Sequence, residues 1–212
     1  IFFFFFPNSY PTILSGKNTR RVFYNNYPPT NPLTSSAILD GFTITEGYLG
    51  NGAGMYNANA SPILRNLIFE KNNTTGNGGA MYNAASNPFI VNCQFFENKA
   101  NYGGAVSNAS ISIPTIVNCL FVENTANIGG GAIYANNASS YNLINSTVYN
   151  NTATTGGGLN HSGNTTHPIV KNSIIYGNGS QVVNSSSATT IVDYSLIEGG
   201  YSGINNLSED PS

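Results

Sequence analysis

The sequence is short of charge. Asp, Glu, Lys and Arg make up 8% of its 212 residues, against roughly 25% in an average globular domain. Seven Lys and Arg stand against nine Asp and Glu, for a formal charge of −2, and the few cations are scattered. A nucleic-acid groove needs a clustered basic face, so nucleic acid is not expected as a partner. Hydrophobic residues still reach 40%, which argues against a disordered chain, because disorder combines low hydrophobicity with high charge. Tryptophan is absent, and Cys and Met occur twice each. Two cysteines fit an oxidising or a reducing compartment equally. No apolar run approaches the ~18 residues of a membrane-spanning helix. The run Ile1-Phe2-Phe3-Phe4-Phe5-Phe6 has no basic residue before it and no small-residue cleavage site after it, so it does not make an intact signal peptide.

Asn, Ser, Thr and Gly fill the space left by charge, together more than two-fifths of the chain. A surface of short neutral polar groups is hydrated but carries little repulsion to keep copies apart. Such a chain stays soluble through attached sugars, or it associates.

The main signal is an internal repeat. Segments beginning at Ala37, Pro62, Pro88, Pro114, Tyr141, Pro168 and Thr190 align at offsets of 22–27 residues, a period that marks solenoids, propellers or arrays. Each unit opens on a short strand whose inward positions are Leu39, Leu64, Ile90, Ile116, Leu143, Val170 and Val192. A second strand carries Phe42, Leu67, Cys93, Cys119, Ser146, Ser173 and Ser195 on one inward row. Two residues on, as strand alternation requires, the next row is Ile44, Phe69, Phe95, Phe121, Val148, Ile175 and Ile197. A glycine-rich turn then leads into a third strand, as at Gly54-Met55-Tyr56 and Gly79-Ala80-Met81-Tyr82. No unit this size closes a core alone, whereas stacked units bury like on like. The pattern predicts an all-β parallel β-helix of about seven coils, with three short strands per coil. Asn tolerates the left-handed backbone of a tight bend, and stacked amides bond from coil to coil. Asn66, Asn92, Asn118, Asn145 and Asn172 are therefore expected to form a structural ladder, and Asn72, Asn98, Asn124, Asn151 and Asn178 a second column. Residues 1–36 make an apolar strand and irregular first coil, 37–200 the repeats, and 201–212 a tail.

The units Phe69-Glu70-Lys71-Asn72, Phe95-Phe96-Glu97-Asn98 and Phe121-Val122-Glu123-Asn124, each followed by Gly-Gly-Ala, resemble the FxxN and GGA(I/L/V) repeats of chlamydial polymorphic membrane proteins. Thr12-Ile13-Leu14-Ser15-Gly16 and Ile38-Leu39-Asp40-Gly41-Phe42-Thr43-Ile44-Thr45 extend the likeness to secreted bacterial right-handed β-helix repeat proteins. The resemblance implies a right-handed coil and a secreted or cell-surface location. It departs from that pattern at the phenylalanine run and at Glu209-Asp210-Pro211, where a further segment is expected, so the chain looks like a piece of a longer precursor.

β-Helix enzymes that cut acidic polysaccharides line up Asp, Arg, Lys or His on adjacent coils. Here Asp40, Asp193 and Asp210 fall near the ends of the stack. Glu97 and Glu123 hold equivalent positions in adjacent coils, with Glu46 and Lys71 in the same column. Paired carboxylates suit acid–base work or a cation, but a solvated polar row explains them more simply. His161 and His167 share one loop without a carboxylate or Cys beside them, so no metal or other cofactor is expected. Cys93 and Cys119 fall in one inward column of neighbouring coils, which allows a disulfide by distance, although parallel side-chain vectors make the torsion awkward. Small residues filling a tight corner are the alternative.

Twelve Asn-X-Ser/Thr acceptors occur, and loop members Asn59, Asn108, Asn137, Asn160, Asn164 and Asn184 are candidates for glycans. The apolar strand Ile1–Phe6 must be sheltered on both faces. It either caps its own first coil or adds to the open end of a second copy. The sequence is thus expected to encode an extracellular structural protein, not an enzyme: a head-to-tail filament protomer or an adhesin stalk. A carbohydrate-active β-helix, with Glu97 and Glu123 beside aromatic platforms Tyr56, Tyr82 and Tyr134, is the alternative.

Overall fold

The computed structural model describes residues 12–209, and the Ile1–Phe6 run lies outside the described residues. All described regular structure is β, and every strand pairing is parallel. The chain winds through three long sheets. Face one stacks seven strands, from Ile38–Asp40 through Ile63–Arg65, Phe89–Val91, Thr115–Val117, Asn142–Ile144 and Ile169–Lys171 to Ile191–Asp193. Face two stacks eight, from Thr12–Ser15 and Phe42–Thr45 to Ile174–Tyr176 and Leu196–Ile197. Face three stacks seven, from Phe23–Asn26 and Met55–Ala58 to Leu159–Ser162 and Val182–Ser185. This is the expected β-solenoid of about seven coils.

The count of three strands per coil needs correction. Lys99–Tyr102, Thr125–Gly129 and Thr152–Thr155 pair as a separate three-stranded sheet, giving the middle coils a fourth side. Their inward residues are Ala100, Ala126 and Ala153, too small to give the hydrophobic contrast that marks a strand in sequence.

The core is the predicted set of columns. Leu64, Ile90, Ile116, Leu143, Val170 and Val192 are fully buried along face one, as are Ile44, Phe69, Phe95, Phe121, Val148 and Ile175 along face two. Phe69, Phe95 and Phe121 stack with centroids 5.1 and 4.6 Å apart and ring planes within 4°. Each buried phenylalanine contributes on the order of 1.5–3 kcal/mol, and only a neighbouring coil gives its ring face a partner.

Between faces one and two the chain turns on a single left-handed residue: Asn66, Asn92, Asn118, Asn145 and Asn172 have φ of 54, 54, 53, 51 and 50°. These five align as expected, but they are not an amide ladder. Most are exposed, and one side-chain bond joins neighbours, Asn92 Nδ2 to Asn66 Oδ1 at 3.4 Å. Backbone bonds hold the row instead, such as Asn66 N–H to the Val91 carbonyl at 3.1 Å. The side chain that donates to Asp40 from this row, Asn66 Nδ2 at 2.8 Å, is the main reason the Asp40 carboxyl lies below its usual range.

The continuous ladder is the second column. After face two the chain turns on Glu46, Lys71, Glu97, Glu123 and Asn150, all with φ of 50–56°, and the residue after each of the last four is a buried Asn. The Asn98 side-chain Oδ1 accepts from the Asn72 backbone N–H at 3.1 Å and from Asn72 Nδ2 at 2.9 Å. The same bidentate step recurs from Asn98 to Asn124, Asn124 to Asn151 and Asn151 to Asn178. Each amide also donates back to a face-two carbonyl of the coil below, as Asn98 does to Phe69 and Asn124 to Phe95, both at 2.9 Å. Glu or Lys in the left-handed region costs ~1–2 kcal/mol per residue, and the bidentate bonds that follow offset it.

Past this corner, Gly103 takes φ of 62° and Gly104 lies so close to the next coil that a Cβ would collide with the Gly131 carbonyl. That explains the recurrent Gly-Gly. Residues 201–209 are more than a tail. Leu207 bridges Leu196, and Asn206 Oδ1 accepts from the Ser195 N–H at 3.0 Å, so this segment packs on the last coil.

Replacing Asn98 by Ala strands two buried donors of Asn72 and opens a cavity. The expected loss is about 3 kcal/mol in chemical denaturation, against about 1 kcal/mol for Asn118→Ala, where only the bend conformation is disfavoured.

Candidate functional site

The outer surface carries two ordered rows. Glu46, Lys71, Glu97 and Glu123 project from the second corner, with Lys71, Glu97 and Glu123 exposed. The single ion pair among the described residues lies elsewhere, between Arg65 and Asp40 at 2.8 Å. The second row lies on face three, where Tyr24, Tyr56 and Tyr82 occupy one register position on successive strands. Their rings stack with centroids 5.2 and 5.6 Å apart, and the Arg21 guanidinium sits 5.0 Å from both the Tyr24 and Tyr56 centroids. Arg21 is pinned by the carbonyls of Asn51 and Gly52, at 2.7 and 2.9 Å, and its burial lowers its pKa.

Glu97 and Glu123 therefore stand at a corner, and Tyr56, Tyr82 and Tyr134 on a sheet beyond it. The structure does not set the acid pair and the aromatic row on one face. Tyr56 is stacked between Tyr24 and Tyr82, Tyr82 stacks on Tyr56, and Tyr134 is 8% exposed.

The inward side of face three holds polar residues that the repeat pattern did not single out. Asn25, Asn57, Asn83 and Asn108 form a third amide column, each Nδ2 donating to the next Oδ1 at 2.9 Å. The register continues through Ala135, His161 and Asn184. Ala135 breaks the ladder, and Asn108 Nδ2 is left buried without a partner. The available signal was the recurring Tyr-Asn-Ala of Met55–Ala58 and Met81–Ala84, which alternates an outward ring with an inward amide. His161 is accordingly in a strand and fully buried, not in a loop with His167, which is exposed. Its Nε2 lies 2.6 Å from the hydroxyl of Tyr141, itself wholly buried, and burial pushes the Tyr141 pKa well up. No group of three or more His, Cys, Asp or Glu gathers among the described residues.

The glycan candidates separate by position. Asn137 and Asn164 are exposed. Asn59 is half-buried, with its Nδ2 donating to the Tyr27 carbonyl at 2.8 Å, and Asn184 is exposed but uses its amide on His161, Thr190 and Tyr201. Asn108 and Asn160 are corrections: they lie in strands, 0% and 5% exposed, where a sugar has no route outward.

The disulfide expectation is also corrected. Cys93 and Cys119 are buried free thiols. Parallel strands direct both side chains the same way, and each Sγ faces the coil below, 3.6 Å from the Leu64 carbonyl and 3.8 Å from that of Ile90. Burial, reinforced by hydrogen bonding with Cys93, holds the Cys119 thiol well above its usual pKa.

A family model, the Chlamydia polymorphic membrane protein (Chlamydia_PMP) repeat, matches residues 118–136. The chain is a parallel β-helix repeat protein similar to the Chlamydia polymorphic membrane proteins. In the matched PMP repeat, Phe121 is the stacked ring, Asn124 the ladder amide and Gly130-Gly131-Ala132 the close-packed corner. The FxxN and GGA signatures are thus the parts of a coil that contact the next coil. No curated protein and no solved structure matches the chain. The PMP repeat and the solenoid indicate a surface or structural repeat protein, and no helix among the described residues is long and apolar enough to cross a membrane.

With both thiols buried and Cys119 hard to ionise, an aromatic disulfide reagent should label neither cysteine in the native protein and both after unfolding. Labelling at the native rate of a free thiol would contradict the burial.

Proposed function

We propose that this surface repeat protein is a rigid structural element outside the cell, a stalk or the protomer of a filament joined head to tail. The observation that carries this reading is the difference between the two ends of the stack. Among the described residues face one has no strand beyond Ile38–Asp40, and an apolar groove lined by Phe23, Leu33, Ile38, Leu39, Met55 and Leu64 lies at that end. At the opposite end, residues 201–209 present Ile204 and Leu207, 57% and 63% exposed. Head-to-tail stacking brings an apolar groove against apolar knobs, a heterologous contact that repeats without closing. Between the ends, buried apolar columns and the Asn72–Asn178 ladder give a rod whose seven coils, at ~4.8 Å each, span roughly 30 Å.

The exposed loops support a hydrated coat, with Asn137 and Asn164 as the acceptors open to glycans if the source glycosylates. Catalysis has no part in this reading. The carbohydrate-active alternative draws less support, since Glu97 and Glu123 stand at a corner apart from the tyrosine row on face three.

Light scattering and electron microscopy of the protein in native buffer test the proposal. The expected result is end-to-end oligomers or fibres that fall to monomers when Ile204 and Leu207 are both replaced by Asp. Monomers at every concentration in the native protein would remove the filament and leave an isolated stalk.

A further inference from the structure

His161 has an arrangement that a merely structural residue does not need. The network assigns its tautomer. Asn184 Nδ2 donates to the Tyr201 hydroxyl at 2.7 Å, which orients the Asn184 oxygen toward the ring, 2.9 Å from His161 Nδ1. Thr190 Oγ1 donates to the same oxygen at 2.7 Å and lies 2.8 Å from Nδ1. Nδ1 therefore carries the proton, and Nε2 accepts from the Tyr141 hydroxyl at 2.6 Å. This chain of bonds joins the start of one coil, its face-three strand, the next coil and the segment that covers the last coil.

All neighbours of the ring are neutral. The strand below supplies Ile133 and Ala135, with Tyr134 on its opposite face; the strand above supplies Asn184; Tyr141 and Thr190 close the sides. Among the described residues Tyr141 and, through Asn184, Tyr201 are the titratable groups nearby, and no carboxylate faces the ring. Adding a proton at Nε2 turns both nitrogens into donors, which removes the acceptor that Tyr141 uses. It also places a full positive charge, 0% exposed, among neutral groups. Burying an ion without a counter-charge is far costlier than burying the neutral imidazole.

We propose that the Tyr141–His161–Asn184 chain is an acid-sensitive latch that holds the carboxy-terminal coils, residues 159–209, to the rest of the stack. Burial lowers the His161 pKa from 6.5 to about 4, with the Asn184 bond opposing. An opened latch takes up the proton near pH 6.5 and the closed one only near pH 4. The latch is accordingly at full strength above pH 6.5 and weakens as pH falls toward 4. The local opening constant should rise about 20-fold at pH 5 and about 200-fold at pH 3 relative to pH 7.

Hydrogen exchange followed by mass spectrometry, corrected for the intrinsic pH dependence, tests this directly. Peptides over 159–197 should lose about 20-fold protection between pH 7 and pH 5, while peptides over 63–96 keep theirs. His161→Asn, which restores the residue type of this column in earlier coils, should abolish the difference. Uniform loss along the stack, or the same local loss in His161→Asn, would overturn the latch. Should that variant not fold, an NMR titration of the native His161 imidazole decides: it should titrate near pH 4, and a His161 ring titrating above pH 6 would overturn the proposal.

Discussion

A chain that turns sharply between parallel strands leaves N–H groups at its corners with no interstrand carbonyl to bond, and in a solenoid several of these corners are buried. An unsatisfied buried N–H costs about 1–3 kcal/mol, and several corners per coil over seven coils would exceed the 5–15 kcal/mol that holds a typical domain together. The structure meets this constraint with short polar side chains lent by the neighbouring coil. Asn Oδ1 takes the N–H at the second corner throughout the ladder. Ser Oγ does the same elsewhere, accepting from Cys119, Ser146 and Ser173 at the first corner and from Ala60, Ser86 and Ser112 on the return to face one. The Asn-rich, Ser-rich, charge-poor composition is the chemical consequence, because only short side chains reach an adjacent backbone 4.8 Å away without filling the core.

The same constraint gives the stack a direction. In the main ladder each amide gives one N–H back to a carbonyl of the coil below and the other toward the carboxy-terminal end, where the last, Asn178 Nδ2, donates to Gln181 Oε1 at 2.8 Å. Gln181 in turn donates to the Glu198 carboxylate at 2.6 Å, which also accepts from the Gly177 N–H. A run of aligned donors ending on an anion is electrostatically closed at that end. Among the described residues the amino-proximal end has no such anion and carries the apolar groove instead. A rod with unlike ends is what head-to-tail association requires, so the energetics of one corner bear on the assembly of many chains.

Much of this was legible in the residues. The apolar columns could be read because each coil repeats the strand alternation, and Phe69, Phe95 and Phe121 in phase leave little doubt about stacking. Which Asn column bonds was harder, since the two rows are equally rich in Asn and six residues apart. Gly41 and Tyr194, which hold the ends of the outer row and carry no amide, were the hint that this row serves the bend rather than a ladder. The fourth strand was hidden by its inward alanines. The His161 site escaped because its neighbours come from four separate segments, and only the register of face three places a histidine in an asparagine column.

Backbone hydrogen exchange at the second corner tests the central claim most directly. If the ladder closes these corners, the N–H groups of Asn72, Asn98, Asn124 and Asn151 should exchange only through global unfolding, as slowly as strand amides such as those of Phe95 and Ile116. Exchange of these four at the rate of exposed loop amides would mean that the side-chain ladder does not shelter the corners, and the account of what holds the coils together would fail.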